Sequence, residues 1–238
     1  MAASAQVSIV LPTLNERDNI VSLMRAIKQE LDSAEIIVVD DDSPDGTWNV
    51  AGAAAAGDPS IRVVRRRSRG LRSAIQRGID EAAGEIVLWM DADFSMPPSA
   101  IPRLLSAVEC GADVAKGSRY VPGGRDERVE WLPRMASALV NFGARCLLGG
   151  PVRDFTAGFV AARRSALERI DLRGDYGEYC IDFLVRASRA GFSVDEVGYV
   201  YTRRQAGESK TAATVPRLIW RGRKYVATIL RLAVHRHA

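Results

Sequence analysis

The sequence predicts an α/β fold: a single domain with a mostly parallel sheet flanked by helices and carrying peripheral amphipathic helices. Three observations lead there. Apolar, strand-like runs alternate with stretches of helical period. The chain has 238 residues, 47% of them hydrophobic, which is enough for one sizeable core and too little for two ordinary domains. The acidic motifs follow directly on the apolar runs, at the carboxyl ends of strands, where such sheets collect ligands.

Val7 to Leu11 reads as a buried strand, followed by Pro12-Thr-Leu-Asn-Glu16 and a helix from about Arg17 to Leu31 with apolar Ile20, Leu23, Met24, Ile27 and Leu31. Glu35 to Val39 is the second strand. It enters Asp40-Asp41-Asp42-Ser43-Pro44-Asp45-Gly46-Thr47 and then an alanine-rich helix. A third strand, Ile61 to Arg65, leads to a helix opening near Gly70, and Glu85 to Met90 is a fourth, ending in Asp91-Ala92-Asp93. Met135, Leu139, Phe142 and Cys146 recur at helical spacing, as do Val215, Leu218, Ile219, Val226, Ile229, Leu230 and Ala233, the latter opposed by Arg217, Arg221, Lys224 and Arg231. Such faces suit either the core or an anionic lipid surface.

Composition narrows the function. A net charge of +4 is too modest to argue for nucleic acid, while the tail after Glu208 is basic throughout. Cys110, Cys146 and Cys180 are odd in number and widely spaced, which speaks against a disulfide framework or a zinc pattern and for three buried small apolar residues in a reducing compartment. No signal peptide is expected, and no apolar run approaches the ~20 residues that a spanning helix requires. The chain is expected to be soluble or peripheral. His235 and His237, at the extreme end, are assigned no ligand role.

The chemistry is expected at the strand ends, where Glu16, Asp40, Asp41, Asp91 and Asp93 gather. Carboxylates so placed repel, and a bound cation or a ligand's donors would sustain them; two aspartates one residue apart suit Mg²⁺ or Mn²⁺ shared with a diphosphate. The plain alternatives are helix capping for the Asp-x-Asp pair and a tight turn for Ser43 to Thr47. Turn chemistry leaves the three preceding aspartates unexplained.

Pro12-Thr-Leu-Asn-Glu16, Val39-Asp-Asp-Asp-Ser-Pro-Asp-Gly-Thr47, Met90-Asp-Ala-Asp93, Gly117-Ser-Arg-Tyr120, Asp154-Phe-Thr-Ala-Gly-Phe159 and Arg204-Gln-Ala-Gly-Glu-Ser-Lys210 stand in this order along the chain. Together they resemble the dolichyl-phosphate (polyprenyl-phosphate) mannosyltransferase group of glycosyltransferase family 2, over roughly residues 7 to 210. The resemblance implies a GT-A type, Rossmann-like catalytic domain over residues 1–210. Residues 211–238 then form a basic amphipathic C-terminal helix at the membrane interface.

By matched position the resemblance places Pro12, Leu14, Glu16, Val39, Asp40, Asp41, Asp91, Ala92, Asp93 and Arg119 around the nucleotide sugar, GDP-mannose being favoured. Asp91 and Asp93, with Ser95 where several relatives carry glutamine, would hold Mg²⁺ or Mn²⁺. Leu14 stands where an aromatic residue is common. Arg119, Arg204, Ser209 and Lys210 would face the acceptor phosphate, and Asp91, Asp93, Arg119, Arg204 and Lys210 form the expected catalytic set. The implied reaction moves mannose with inversion onto a polyprenyl (dolichyl) monophosphate. It takes place peripherally on the cytoplasmic face of a membrane, with or without an anchoring membrane subunit and with no nucleic acid partner.

The residues by themselves leave other classes open. These are a glucosyl- or aminosugar transferase using a UDP-sugar, a receiver domain or phosphoaspartyl phosphatase (Lys116 mimics a receiver's lysine), and a non-enzymatic basic scaffold that binds membrane. A dinucleotide-binding oxidoreductase is disfavoured, since no Gly-x-Gly-x-x-Gly follows the first strand. The basic run Arg65 to Arg69 before Gly70 reads equally as a solvated turn or as cations aimed at an anion.

Overall fold

The computed structural model describes residues 6–204 and 215–235. The chain begins with three strand–helix units: β1 (Val7–Thr13), α1 (Arg17–Glu30), β2 (Glu35–Asp40), α2 (Thr47–Ala55), β3 (Ile61–Arg65) and α3 (Leu71–Glu81). There follow β4 (Ile86–Trp89), α4 (Ile101–Glu109), β5 (Val114–Ser118), β6 (Arg125–Asp126) and α5 (Trp131–Leu148). The last elements are β7 (Val160–Arg163), α6 (Arg164–Arg169), α7 (Glu178–Arg189), β8 (Val194–Gly198), β9 (Val200–Tyr201) and α8 (Val215–Val234).

The main sheet runs β3-β2-β1-β4-β7-β5-β8. Only β7 is antiparallel to its neighbours, β4 and β5, so the sheet is mostly parallel. Alternation along β1 sends Val10 to one face and Ile9 and Leu11 to the other, and β2 divides Ile37 and Val39 from Ile36 and Val38 in the same way. Helices cover both faces, as buried parallel strands require. Register aligns the strand tips: Thr13 pairs with Asp40 and Asp40 with Arg65, while Val10 pairs with Trp89. The segments after β1, β2 and β4 therefore leave the sheet side by side.

Helix α8 is a layer of this domain. Thr228, Ile229 and Leu232 are buried, Ile229 and Leu232 in the core shared with α7, and Arg231 and Lys224 pair with Asp182 and Asp175, each at 2.7 Å. The apolar stripe read from the sequence thus divides: Ile229 faces inward, whereas Val226 and Leu230 stay exposed beside Trp220 and Val234. The side chains of Val215, Arg217, Leu218 and Ile219 lie outside the described residues. On α5 the stripe faces out, with Trp131, Met135, Leu139 and Phe142 each more than half exposed.

The expectation of three buried cysteines holds only for Cys180. Cys110 is exposed at the C-terminal cap of α4, and Cys146 lies on the outward face of α5. Among the described residues no helix is long and apolar enough to cross a membrane.

Candidate active site

The turns after β1, β2 and β4 open one cleft of about 860 Å³. Asn15, Asp42 and Phe94 are the non-glycine residues with positive φ among those described, and one sits in each of these turns. Left-handed backbone at such residues costs of order 1–3 kcal/mol and persists where surrounding contacts enforce it.

Pro12, Leu14, Glu16, Asp41, Asp91, Ala92, Asp93, Arg119 and Arg204 all line the cleft, so residues scattered over nearly 200 positions meet in one place. Val39 and Asp40 do not line it. Val39 is a core side chain of β2. Asp40 is fully buried and accepts from Thr13 Oγ1 at 2.7 Å, Ser43 N at 2.8 Å and Ser43 Oγ at 2.6 Å, so it builds the turn that carries Asp41. Ser95 is buried behind Asp93. Ser209 and Lys210 lie outside the described residues.

The strand-tip carboxylates have partners within the protein, which corrects the expectation that only a cation or a ligand's donors would sustain them. Asp41 accepts from Arg66 Nε at 2.5 Å and Gly70 N at 2.8 Å, and Asp42 from Arg65 Nε at 2.6 Å. The run Arg65 to Arg69 thus supplies intramolecular counter-ions, with Arg69 also lining the cleft. Glu16 accepts from Asn19 Nδ2 at 2.9 Å, and its own N–H donates to Thr47 Oγ1 at the start of α2, which locks the first turn to the second. Asp93 faces Arg204 across 2.9 Å.

Asp91 and Asp93 offer the hard oxygens that Mg²⁺ or Mn²⁺ take. Ser95 N donates to Asp93 Oδ1 at 2.9 Å; its buried hydroxyl meets no partner of good geometry, though the Tyr201 phenol is close enough to feel it. Burial, and then the negative charges of Asp93 and Asp91, push the Tyr201 phenol up to about 12. Among the described residues no three His, Cys, Asp or Glu side chains converge. A cation held by the pair would take most of its shell from phosphate oxygens and water, as Mg²⁺ usually does.

Arg119, expected to face the acceptor phosphate, lines the cleft and is also held within the protein. Its Nε and Nη2 donate to Asp154 Oδ2 and Oδ1 at 2.7 and 2.8 Å, and Nη2 also reaches Thr156 Oγ1 at 2.7 Å and Ser137 Oγ of α5 at 3.1 Å. Asp126 lies 3.3 Å from Nη1 and is shared with Arg128. Asp154 and Thr156 stand in the motif Asp154 to Phe159, to which the sequence assigns no role, and nothing in the sequence pattern marks Asp126 or Ser137 as partners of Arg119. Lys116, which had suggested a receiver domain, is buried in β5 and donates to the Gly117 carbonyl at 2.7 Å.

Behind the acidic tips, Trp89 Nε1 donates to the Tyr179 hydroxyl at 2.9 Å, tying β4 to α7. Pro133, Ala136, Ser137 and Val140 of α5 and Arg221, Gly222 and Tyr225 of α8 also line the cleft. Its lining thus joins strand-tip carboxylates to apolar and cationic side chains from two helices.

Residues 8–171 match the family model described as "Glycosyl transferase family 2". This chain belongs to glycosyl transferase family 2. Within the family it is 41% identical over 214 residues to the polyprenol monophosphomannose synthase of Mycolicibacterium smegmatis, covering 87% of this chain and 81% of that protein. It is 37% identical over 210 residues to the dolichol-phosphate mannosyltransferase of Pyrococcus furiosus, covering 86% of this chain and 59% of that one. Among solved structures, glucosyl-3-phosphoglycerate synthase from Mycobacterium tuberculosis, in complex with Mn²⁺, UDP and glucosyl-3-phosphoglycerate, superposes with a TM-score of 0.74. It shares 23% sequence identity and covers 96% of this chain and 80% of that one. Membership in the family makes the chain a glycosyltransferase of the GT-A fold and replaces the receiver, phosphatase and scaffold readings.

Proposed function

We propose that this glycosyltransferase moves mannose from GDP-mannose onto a polyprenyl monophosphate, with inversion at the anomeric carbon. The observation that carries the reading is one cleft lined both by the turns bearing Asp41, Asp91 and Asp93 and by Pro133, Ala136, Val140 and Tyr225 of α5 and α8. It suits a donor that is polar throughout and an acceptor whose phosphate is followed by hydrocarbon. The similarity to polyprenol- and dolichol-phosphate mannosyltransferases supports mannose and the lipid acceptor.

In this reading Pro12, Leu14, Glu16 and Asp41 line the nucleoside end. Asp91 and Asp93, with Ser95 behind them, would hold Mg²⁺ or Mn²⁺, which would supply charge stabilisation to a departing diphosphate. Arg204, forked and permanently charged, reaches the donor's phosphate oxygens. The acceptor phosphate is anionic at neutral pH, so its oxygen attacks without a strong general base. Positioning is then the protein's main task. Arg119 serves it by fixing Ser137 of α5 against the Asp154 turn, while Ser209 and Lys210 join from outside the described residues.

The outward apolar faces of α5 and α8, with exposed Arg223 on α8, suit peripheral docking on the cytoplasmic face of an anionic membrane, with or without an anchoring subunit. The test incubates the protein with radiolabelled GDP-mannose, GDP-glucose or UDP-sugars, a polyprenyl phosphate and Mg²⁺ or Mn²⁺. Lipid-extractable label from GDP-mannose is expected. Label from a UDP-sugar alone reassigns the donor, and no label from any donor overturns the reading.

A further inference from the structure

Asp93 is nearly inaccessible, and both of its oxygens are engaged: Oδ1 accepts from Ser95 N and Oδ2 faces Arg204 Nη1 at 2.9 Å. The backbone leading to Arg204 is pinned to the same turn. Thr202 N donates to the Ser95 carbonyl at 3.1 Å, and Thr202 Oγ1 donates to the Phe94 carbonyl at 2.9 Å. Two residues later the guanidinium therefore returns onto Asp93 by construction of the fold. Of the other arginines that line the cleft, Arg119 is committed to Asp154 and Arg128 to Asp126, while Arg69, Arg203 and Arg221 also line it; among the described residues the Asp93 ion pair is made by Arg204. As a guanidinium, Arg204 keeps its positive charge at any working pH.

We infer that Arg204 is a built-in stand-in for the divalent cation, so that metal alone binds poorly and enters together with a nucleoside diphosphate. A dication and a guanidinium repel, so each weakens the other's hold on the same carboxylate in a site this buried. A diphosphate removes the conflict by offering Arg204 a second anionic partner within its reach, where forked contacts form readily. Release of Asp93 and capture of the diphosphate by the same side chain then couple the two ligands in one equilibrium. The inference rests on the reading of Asp91 and Asp93 as the cation ligands.

The test measures Mn²⁺ binding by the loss of the free-ion electron paramagnetic resonance signal, on the full chain, with Mn²⁺ alone and with GDP added. Arg204→Met is expected to bind Mn²⁺ alone about tenfold tighter than the wild type and to lose a similar factor of the GDP-induced gain. Arg204→Gln repeats the measurement with a polar neutral side chain, so a folding defect in one variant leaves the other to decide. Arg204→Lys, still cationic, should stay near the wild type. Unchanged or weaker Mn²⁺ binding in both neutral variants overturns the inference. Mn²⁺ binding that survives Asp93→Ala, or no binding even with GDP, removes the metal assignment and the inference with it. Intact coupling without mannosyl transfer removes only the proposed reaction.

Discussion

Arg119 and Asp154 form a two-point buried ion pair, Nε to Oδ2 at 2.7 Å and Nη2 to Oδ1 at 2.8 Å, joining the end of β5 to the loop that precedes β7. Because the same guanidinium also holds Ser137 on α5, this pair ties α5 to the end of β5. Removing one partner strands the other charge out of water. Asp154→Ala is expected to cost about 3–5 kcal/mol in urea unfolding. Arg119→Lys, which keeps charge but not the fork, should also be destabilised, though by less.

The pair also predicts an acid limb. Burial alone would raise the Asp154 carboxyl, but Arg119 beside it holds it well below the usual 3.8. As pH falls, the unfolded chain takes the proton first. The stability that Asp154 contributes is complete above about pH 5 and drains away as pH drops through about 4 and below. Urea midpoints measured from pH 7 to pH 3 should fall at the acid end in the wild type. Asp154→Asn should start lower and show a shallower decline; parallel curves would rule out this assignment.

The first half of the fold is legible because β1, β2 and β4 are apolar runs with an acid at their end or within three residues of it, and α1 keeps its period from Ile20 to Ile27. The reversed β7 carries no such mark: Val160 to Ala162 is a short apolar run between a turn and a helix, and its direction depends on the partners it finds. For the site, sequence shows which carboxylates leave strands but not which side chains turn inward. Asp40 and Asp41 are adjacent, yet one organises the turn through Ser43 and the other lines the cleft, a division decided by alternation and by Thr13 lying opposite Asp40. Arg66 neutralises Asp41 across 25 residues of sequence, a pairing that register creates and no local pattern announces.

That division predicts different phenotypes for neighbouring aspartates. Asp40→Ala leaves Thr13 Oγ1 and both Ser43 donors without their acceptor, and should cost about 1–3 kcal/mol of stability for each donor left buried and unsatisfied. Asp41→Asn should mainly raise KM for the sugar nucleotide. Asp93→Ala should lower kcat by about 100-fold or more, because it removes a ligand to the charge that stabilises the departing diphosphate. Steady-state kinetics beside thermal melts separate the three.

Helix α8 predicts a second contrast, between residues two positions apart. Leu232 is 6% exposed and sits in the core shared with α7, whereas Leu230 is 52% exposed on the outward face. Leu232→Ala should cost about 2–5 kcal/mol, the range for truncating a large buried aliphatic side chain. Leu230→Glu gives up only the covered half of an exposed side chain and should lower the melting temperature far less than Leu232→Ala. Its expected effect is on co-sedimentation with anionic liposomes, because a carboxylate on an interfacial apolar face is repelled by the lipid charge and resists burial in the headgroup region. Val226→Glu, one turn earlier on the same exposed face, should act in the same direction. Equal liposome binding by both glutamate variants and the wild type would move the membrane contact away from α8 and leave the exposed stripe of α5 to supply it.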